Sequence, residues 1–383
     1  MPGKKAIISV INDLVTDQRV EKSAQVLMDM GYEVLMVGRQ KSDSLRMPDR
    51  RYTVNRMRLL WEKGPFFYAE YNLRLFFFLL FQKCDLLFSN DLDTLLPNYL
   101  IHKLKRIPVI YDSHEYFTET PEVIHRPFVR NFWKRIEKSI VPKLKYCITV
   151  NPSIAELFKK EYSVDFKVIR NIPGRKIKDS VPSRKELGLP EDQKIILLQG
   201  AGINIQRGAE ELVEAMKYLD GLLLLIIGSG DVFPVLKELA AEFKVDQKIM
   251  FIPKQLPDKL FFYTSAADLG LTLDKDTNIN YHFSLPNKLF DYIHAGIPIL
   301  ASPLPEIKAI IEKYEIGGFI DSHQPEHIAS KIQQALNDEI TYARWKENLK
   351  LAAAELNWEN ERKVLCKIIE EVEKSHQTNK MSK

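Results

Sequence analysis

Short apolar runs alternate along this chain with longer stretches whose apolar positions recur every three or four residues, the patterns of strand and amphipathic helix. Lys5–Ile11 reads as a strand, Gln18–Met30 as a helix closed by Gly31, and Glu33–Val37 as the next strand. Strands at Asp85–Ser89, Pro108–Tyr111 and Tyr146–Val150 then alternate with helices at Asp93–Lys105, Pro127–Leu144 and Pro152–Tyr162. A second series has strands at Lys194–Gln199, Leu222–Ile227, Ile249–Ile252 and Leu269–Leu273, with helices at Gly208–Tyr218 and Asp231–Phe243. LLLLII at 222–227 suits a strand covered on both faces, as parallel sheets require. The pattern predicts two doubly wound α/β, Rossmann-like domains.

Between the two series, NIPGRKIKDSVPSR (171–184) mixes Gly, Pro and scattered charge and reads as a linker. At 383 residues the chain exceeds one ordinary core. We place the boundary between 1–172 and 173–358. Helix resumes from Tyr342 and breaks at Trp358-Glu359. Cys84, Cys147 and Cys366 are widely spaced within apolar patterns and read as buried thiols of a reducing compartment. The opening residues read as a first strand, and the longest apolar run, Leu75–Phe81, is far short of the ~20 residues that span a bilayer. That run is read as packing on the sheet.

The stretch Tyr281–Ser302 carries the chemistry. A helix is predicted from about Pro286 to His294, stopped by Gly296, with a strand at Ile299–Ala301. Leu289, Phe290 and Ile293 fall on one apolar face, and Asn287, Lys288 and Asp291 face away from it. A helix start beside Lys288 makes an anion seat. Asp291, one turn on, is placed to accept hydrogen bonds from hydroxyls attached to that anion. Phosphate with vicinal hydroxyls describes a nucleotide. The plain alternative is a solvated surface helix.

These residues resemble family 4 of the retaining glycosyltransferases, which have the GT-B fold. Ser284 to Tyr292 (SLPNKLFDY) is similar to a subgroup motif SLPNK-(hydrophobic)-F-(D/E)-Y, followed by the turn His294-Ala295-Gly296-Ile297-Pro298. Most members carry two acids eight apart. The second matches Asp291, but Phe283 stands at the first. The resemblance implies two domains facing a cleft, with the last helix, about 359–383, returning to complete the N-terminal domain. It implies a donor site of Ser284, Asn287, Lys288, Asp291, Arg207, Gly202, Gly228 and Lys254. Arg207 matches the family's (K/R)-G position, and Gly228-Ser229-Gly230 its G-x-G. At 202, where many members have a second Arg, this chain has glycine. Lys254-Gln255 is where relatives receive the base.

In the first series, Asp17-Gln18-Arg19-Val20 is similar to the family's DxRV, although Asp17 serves equally as a helix N-cap. Tyr111-Asp112-Ser113-His114-Glu115 resembles its D-x-H-E, and a core or capping role remains the alternative for His114. Asp91-Leu92-Asp93 imitates a metal-binding DxD, whereas Asp93 is read as the N-cap of the following helix. By resemblance Asp17, Arg19 and Asp91 fall on the acceptor side. Arg207, Lys288 and His114 are the catalytic candidates, and no metal or other cofactor is implied.

The net charge of +4 conceals an imbalance. Residues 1–172 hold 28 Lys/Arg against 20 Asp/Glu, leaving +8, and the remainder is −4. Residues 125–138 interleave Arg126, Arg130, Lys134 and Arg135 with Phe128, Phe132 and Trp133, which suits an interfacial helix or packing on the sheet. No motif for nucleic acid occurs.

The expected function is a metal-independent glycosyltransferase of hexosyltransferase type, moving sugar from a nucleoside-diphosphate sugar to a glycan or lipid-linked acceptor in surface polysaccharide assembly. The expected place is the cytoplasm, peripheral on the inner membrane face. The alternatives are a nucleotide-sugar epimerase of the same fold, or a non-catalytic nucleotide-sugar-binding subunit.

Overall fold

Apolar runs of four to seven residues become the central strands, because only strands covered on both faces can use side chains that are apolar throughout. In this computed structural model the described residues are 3–15, 17–42, 44, 46–174 and 181–381. Thr16, in the loop after the first strand, and 175–180, the middle of the predicted linker, lie outside them.

The first sheet comprises β1 (Lys4–Ser9), β2 (Tyr32–Gln40), β3 (Thr53–Arg58), β4 (Leu86–Asn90), β5 (Val109–Ser113), β6 (Tyr146–Thr149) and β7 (Lys167–Val168). The second comprises β8 (Lys194–Gly200), β9 (Leu222–Gly228), β10 (Ile249–Pro253), β11 (Leu269–Thr272), β12 (Ile299–Ala301) and β13 (Gly317–Phe319). Their orders are β3-β2-β1-β4-β5-β6-β7 and β10-β9-β8-β11-β12-β13, and adjacent strands pair in parallel. Each order reverses beside the first strand of its sheet. In open α/β sheets, ligands bind at the carboxyl ends on either side of such a reversal.

The chain divides into two units, Met1–Asn171 with Glu361–Lys383, and Ile172–Asn360. The terminal helix Trp358–Met381 reaches the first sheet's unit, where Glu373 accepts from Lys4 and Tyr32 and Glu361 pairs with Arg170.

Several local expectations shift. Edge strands β3 and β13 escape the pattern: TVNRMR is polar at four of its six positions, and GGF reads as a turn. The predicted 127–144 helix ends at Ile140 and continues as one 3-10 turn. Leu75–Phe81 does not lie wholly against the sheet. Helix Gly64–Phe81 buries Phe67, Tyr71, Leu75 and Leu79 on an i,i+4 stripe but exposes Phe66, Leu73, Phe77 and Phe81. Among the described residues, no helix is long and apolar enough to cross a membrane.

Candidate functional site

At the reversal of the second sheet, the loop after β8 approaches the end of β11. Gly208 has φ +70°, and a Cβ there would stand 2.4 Å from the Leu273 carbonyl oxygen. Only glycine lets the loop lie on that backbone, and this approach brings Arg207 to Asp274. The Asp274 carboxylate, fully buried, receives Arg207 NH1 at 3.2 Å on Oδ1. Lys288 Nζ stands 3.6 Å from Oδ2, an ion pair longer than an ordinary hydrogen bond. Tyr281 lies under the Arg207 guanidinium, 4.6 Å from its ring centre.

Helix Asn287–Ala295 holds Lys288. Leu289, Phe290, Tyr292 and Ile293 are buried, each apolar side chain contributing about 1.5–3 kcal/mol, so the helix is fixed by its core face. Tyr292 adds hydrogen bonds from its hydroxyl to Leu197 and Leu271 carbonyls. Pro286 is the cap and not the first helical residue, and no side chain caps the helix start. The larger correction concerns Lys288. Its side chain does not face solvent but is 10% exposed, because Asp274 gives its ammonium a buried counter-charge. Burial lowers the Lys288 pKa, Asp274 opposes that shift, and Arg207 adds to it.

Asp291 accepts from Gln199 Nε2 at 3.0 Å, Asn287 is exposed at the helix start, and Lys254 is exposed just past β10. Gly202 is exposed on the loop after β8. Gly228 has φ +148°, and a Cβ on it would fall 1.8 Å from the Gly200 carbonyl oxygen, so the β9 turn closes directly on the β8 turn. Phe283 ends a short helical turn, its ring edge-on to His282 at 4.5 Å. Two buried polar atoms, Arg207 Nε and Ser284 Oγ, have no hydrogen-bond partner among the described residues. Buried polar groups are rarely left so.

In the other unit, the carboxyl ends of β1, β4 and β5 gather a second cluster. Asp17 caps helix Gln18–Asp29 by accepting from the Val20 N–H, the plain role open to it. Arg19 is 6% exposed and donates to Asp112 through Nε and NH2 and to the Ile169 carbonyl through NH1. The guanidinium is therefore an anchor within the protein, which is not what its acceptor-side assignment implied. Asp93 is not an N-cap. Asp91 holds that position, and Asp93 is buried in the first turn with Oδ1 unpartnered among the described residues, its pKa raised by burial and by Asp91. Among the described residues, no group of three or more His, Cys, Asp or Glu is placed to hold a metal.

Asp91, at φ +60°, accepts from the His114 backbone N–H at 2.8 Å and pairs with its Nδ1 at 3.2 Å. His114 Nε2 stands 3.2 Å from Asn90 Oδ1 and 3.5 Å from Asp112 Oδ2. Burial opposes the imidazolium, but Asp91 and Asp112 push the His114 pKa up to about 9. Burial also opposes ionisation of Asp112, and Arg19 overcomes it, holding that carboxyl well below its ordinary range.

Arg207 and Lys288 thus converge within one unit, whereas Asp17, Arg19, Asp91 and His114 gather in the other. Sequence reasoning missed Asp274, Gln199 and Tyr281 as partners. For Asp274 a signal existed, since it is the acid just past the apolar run 269–273, where ligand contacts collect in such sheets.

Residues 18–174 match the family model described as Glycosyltransferase Family 4, and 180–352 match Glycosyl transferases group 1. An uncharacterized glycosyltransferase of Methanocaldococcus jannaschii is 27% identical over 164 residues, 42% of this chain and 40% of that protein. The chain therefore spans about two fifths of that curated relative. Sucrose-phosphate synthase from Thermosynechococcus elongatus superposes with a TM-score of 0.79 at 16% identity, over 97% of this chain and 100% of that one. HepE of Anabaena, solved with UDP and glucose, gives 0.74 at 12% identity, over 96% and 100%. At such identities the structural likeness speaks for the fold alone. Both halves thus match glycosyltransferase family models in chain order, and the fold is that of the GT-B glycosyltransferases.

Proposed function

We propose that this protein is a retaining glycosyltransferase that moves a hexosyl group from a nucleoside-diphosphate sugar to a glycan or lipid-linked acceptor, without a metal. One observation carries this reading: Arg207 and Lys288 share a buried carboxylate at the reversal of the second sheet, beside an uncapped helix start. A leaving diphosphate develops negative charge, and fixed cations aimed at it supply the largest single stabilisation in such chemistry. Arg207 Nε has no hydrogen-bond partner among the described residues, and an Arg fork binds phosphate oxygens in pairs. Ser284 Oγ, four residues before Lys288, is a second donor with no partner among the described residues, and Asp291 is the carboxylate for ribose hydroxyls. Asn287, Gly202, Gly228 and Lys254 border the same carboxyl edge. The setting we infer is surface polysaccharide assembly on the cytoplasmic membrane face.

Thermal shift with UDP-, GDP- and ADP-sugars tests donor binding, and mass spectrometry of products with excess EDTA tests the reaction. Stabilisation by one donor and chelator-resistant transfer are expected. No stabilisation by any of them overturns the reading.

Phe283 favours one second reading, a binding subunit that has lost the acid reading the sugar. Slow donor hydrolysis without acceptor rules against it. An epimerase requires an acid/base pair facing the sugar, and Phe283 supplies none.

A further inference from the structure

Two cations in one buried seat repel each other, and each resists leaving water. Arg207 and Lys288 nonetheless occupy such a seat, with side chains 26% and 10% exposed. Between them stands Asp274, fully buried, one oxygen toward each cation. Thr272 Oγ1 lies 3.4 Å from Asp274 Oδ2 within the same strand end. The neighbouring Lys275 is paired with Glu211, so it does not compete for this carboxylate. Among the described residues the charged groups around Lys288 are Asp274 from the end of β11 and Arg207 from the loop after β8. Asp291 lies on its own helix and accepts from Gln199.

We infer that Asp274 is a positioning residue for the diphosphate seat: its charge lets Arg207 and Lys288 stand side by side before an anion arrives. This rests on the proposed function, because it assigns the anion to a donor diphosphate. The seat keeps one positive charge in excess of its carboxylate, Asp274 is more deeply buried than either cation, and Arg207 Nε has no hydrogen-bond partner among the described residues. An arriving diphosphate would meet two cations already ordered. Without Asp274, the Lys288 amine would be buried beside a guanidinium with no counter-charge there, and neutralising itself becomes its least costly state. Burial and Arg207 already lower its pKa, and Asp274 is the group that opposes them.

The sign of the effect follows. The amine binds an anion only when protonated, so binding is lost as pH rises through its pKa. Removing Asp274 lowers that pKa further and brings the loss to lower pH. A merely structural role would weaken binding equally at every pH.

The experiment pairs two readouts on the full chain. The ε-carbon resonance of Lys288 in ¹³C-lysine-labelled protein, identified by its absence from Lys288→Arg, is titrated by NMR. Deprotonation is expected at lower pH in Asp274→Asn than in the native protein, with Asp274→Glu restoring it. Calorimetric titration with UDP, GDP and ADP is expected to show affinity falling about tenfold or more between about pH 6 and 9 in Asp274→Asn, and less than about threefold in the native chain. A Lys288 titration unmoved by Asp274→Asn overturns the inference, as does an affinity loss that is uniform in pH. Should the Asn variant fail to fold, Asp274→Glu and Arg207→Gln read the same network. A native-like titration is expected in the first and a raised one in the second. A lowered titration in Asp274→Glu overturns the inference. Nucleoside diphosphates that bind neither protein, with the Lys288 titration still displaced, overturn the donor reading and leave Asp274 in its role.

Discussion

The guanidinium of Arg19 grips the Asp112 carboxylate with two hydrogen bonds, 3.0 Å from Nε and 2.6 Å from NH2, in a setting where the two side chains are 7% and 2% exposed. This pair decides the charge of its neighbours, since an ionised Asp112 is one of the two carboxylates that keep His114 protonated. Arg19→Met strands a buried carboxylate and removes the donor to Ile169. A loss of about 3 kcal/mol is expected in denaturant unfolding. A midpoint within error of the native protein would contradict the anchoring role.

His114 links the same cluster to pH. Its folded pKa of about 9 lies above the usual ~6.5, so its contribution to stability is whole below about pH 6.5 and is lost as pH rises through about 9. Thermal midpoints measured across this window should fall with pH in the native chain. In His114→Gln the same slope should flatten, and an unchanged slope would assign the effect elsewhere.

At the candidate donor seat, Lys288→Ala and Arg207→Ala are each expected to reduce turnover about 10²-fold or more, equivalent to roughly 3 kcal/mol, while circular dichroism stays native. Native-like kinetics in either variant would remove the site assignment. Asp291→Asn should weaken binding of the free nucleoside diphosphate, and an unchanged Kd would remove its ribose role.

Gly208 provides a test that touches no charged group. In Gly208→Ala the new methyl must displace the Leu273 backbone or leave φ +70°, at a cost of about 1–3 kcal/mol. Because that contact brings Arg207 to Asp274, donor affinity should fall along with stability. Full affinity in a destabilised variant would show that the loop and the seat are independent.

Helix Pro127–Ile140 answers both readings of the basic, aromatic segment. Trp133, Glu137 and Ile140 are buried, whereas Phe128 and Phe132 are 86% and 50% exposed. Arg130 and Lys134 pair with Glu119 and Glu161. Arg126, Arg135 and Lys138 are exposed and have no ion pair among the described residues, so they are the residues free to meet an anionic surface. We propose weak, salt-sensitive attachment, at about 1 kcal/mol per basic residue near the surface. Changing these three to Glu should abolish flotation with anionic liposomes at low salt. Undiminished flotation, or none in the native chain, would rule this face out.

The alternation of apolar runs with helical periods determined the doubly wound α/β class, because period and length are local properties of a chain. The helix after Pro286 and its Gly296 stop were legible for the same reason, whereas SLPNKLFDY, Arg207-Gly208 and the Gly228 turn stood out only by their resemblance to family motifs. The weak edge strands β3 and β13 were not, since their few half-buried positions acquire meaning only beside β2 and β12. Charge pairing was likewise beyond the sequence. Asp274 lies 67 residues from Arg207, Asp112 lies 93 from Arg19, and only the crossing of parallel strands at the sheet reversals brings them together. Helical periodicity turned Lys288 away from the apolar face, which left it in the sequence as the exposed cation of an anion seat. The tertiary structure buried it instead, since a carboxylate from another strand end supplies the counter-charge that burial requires.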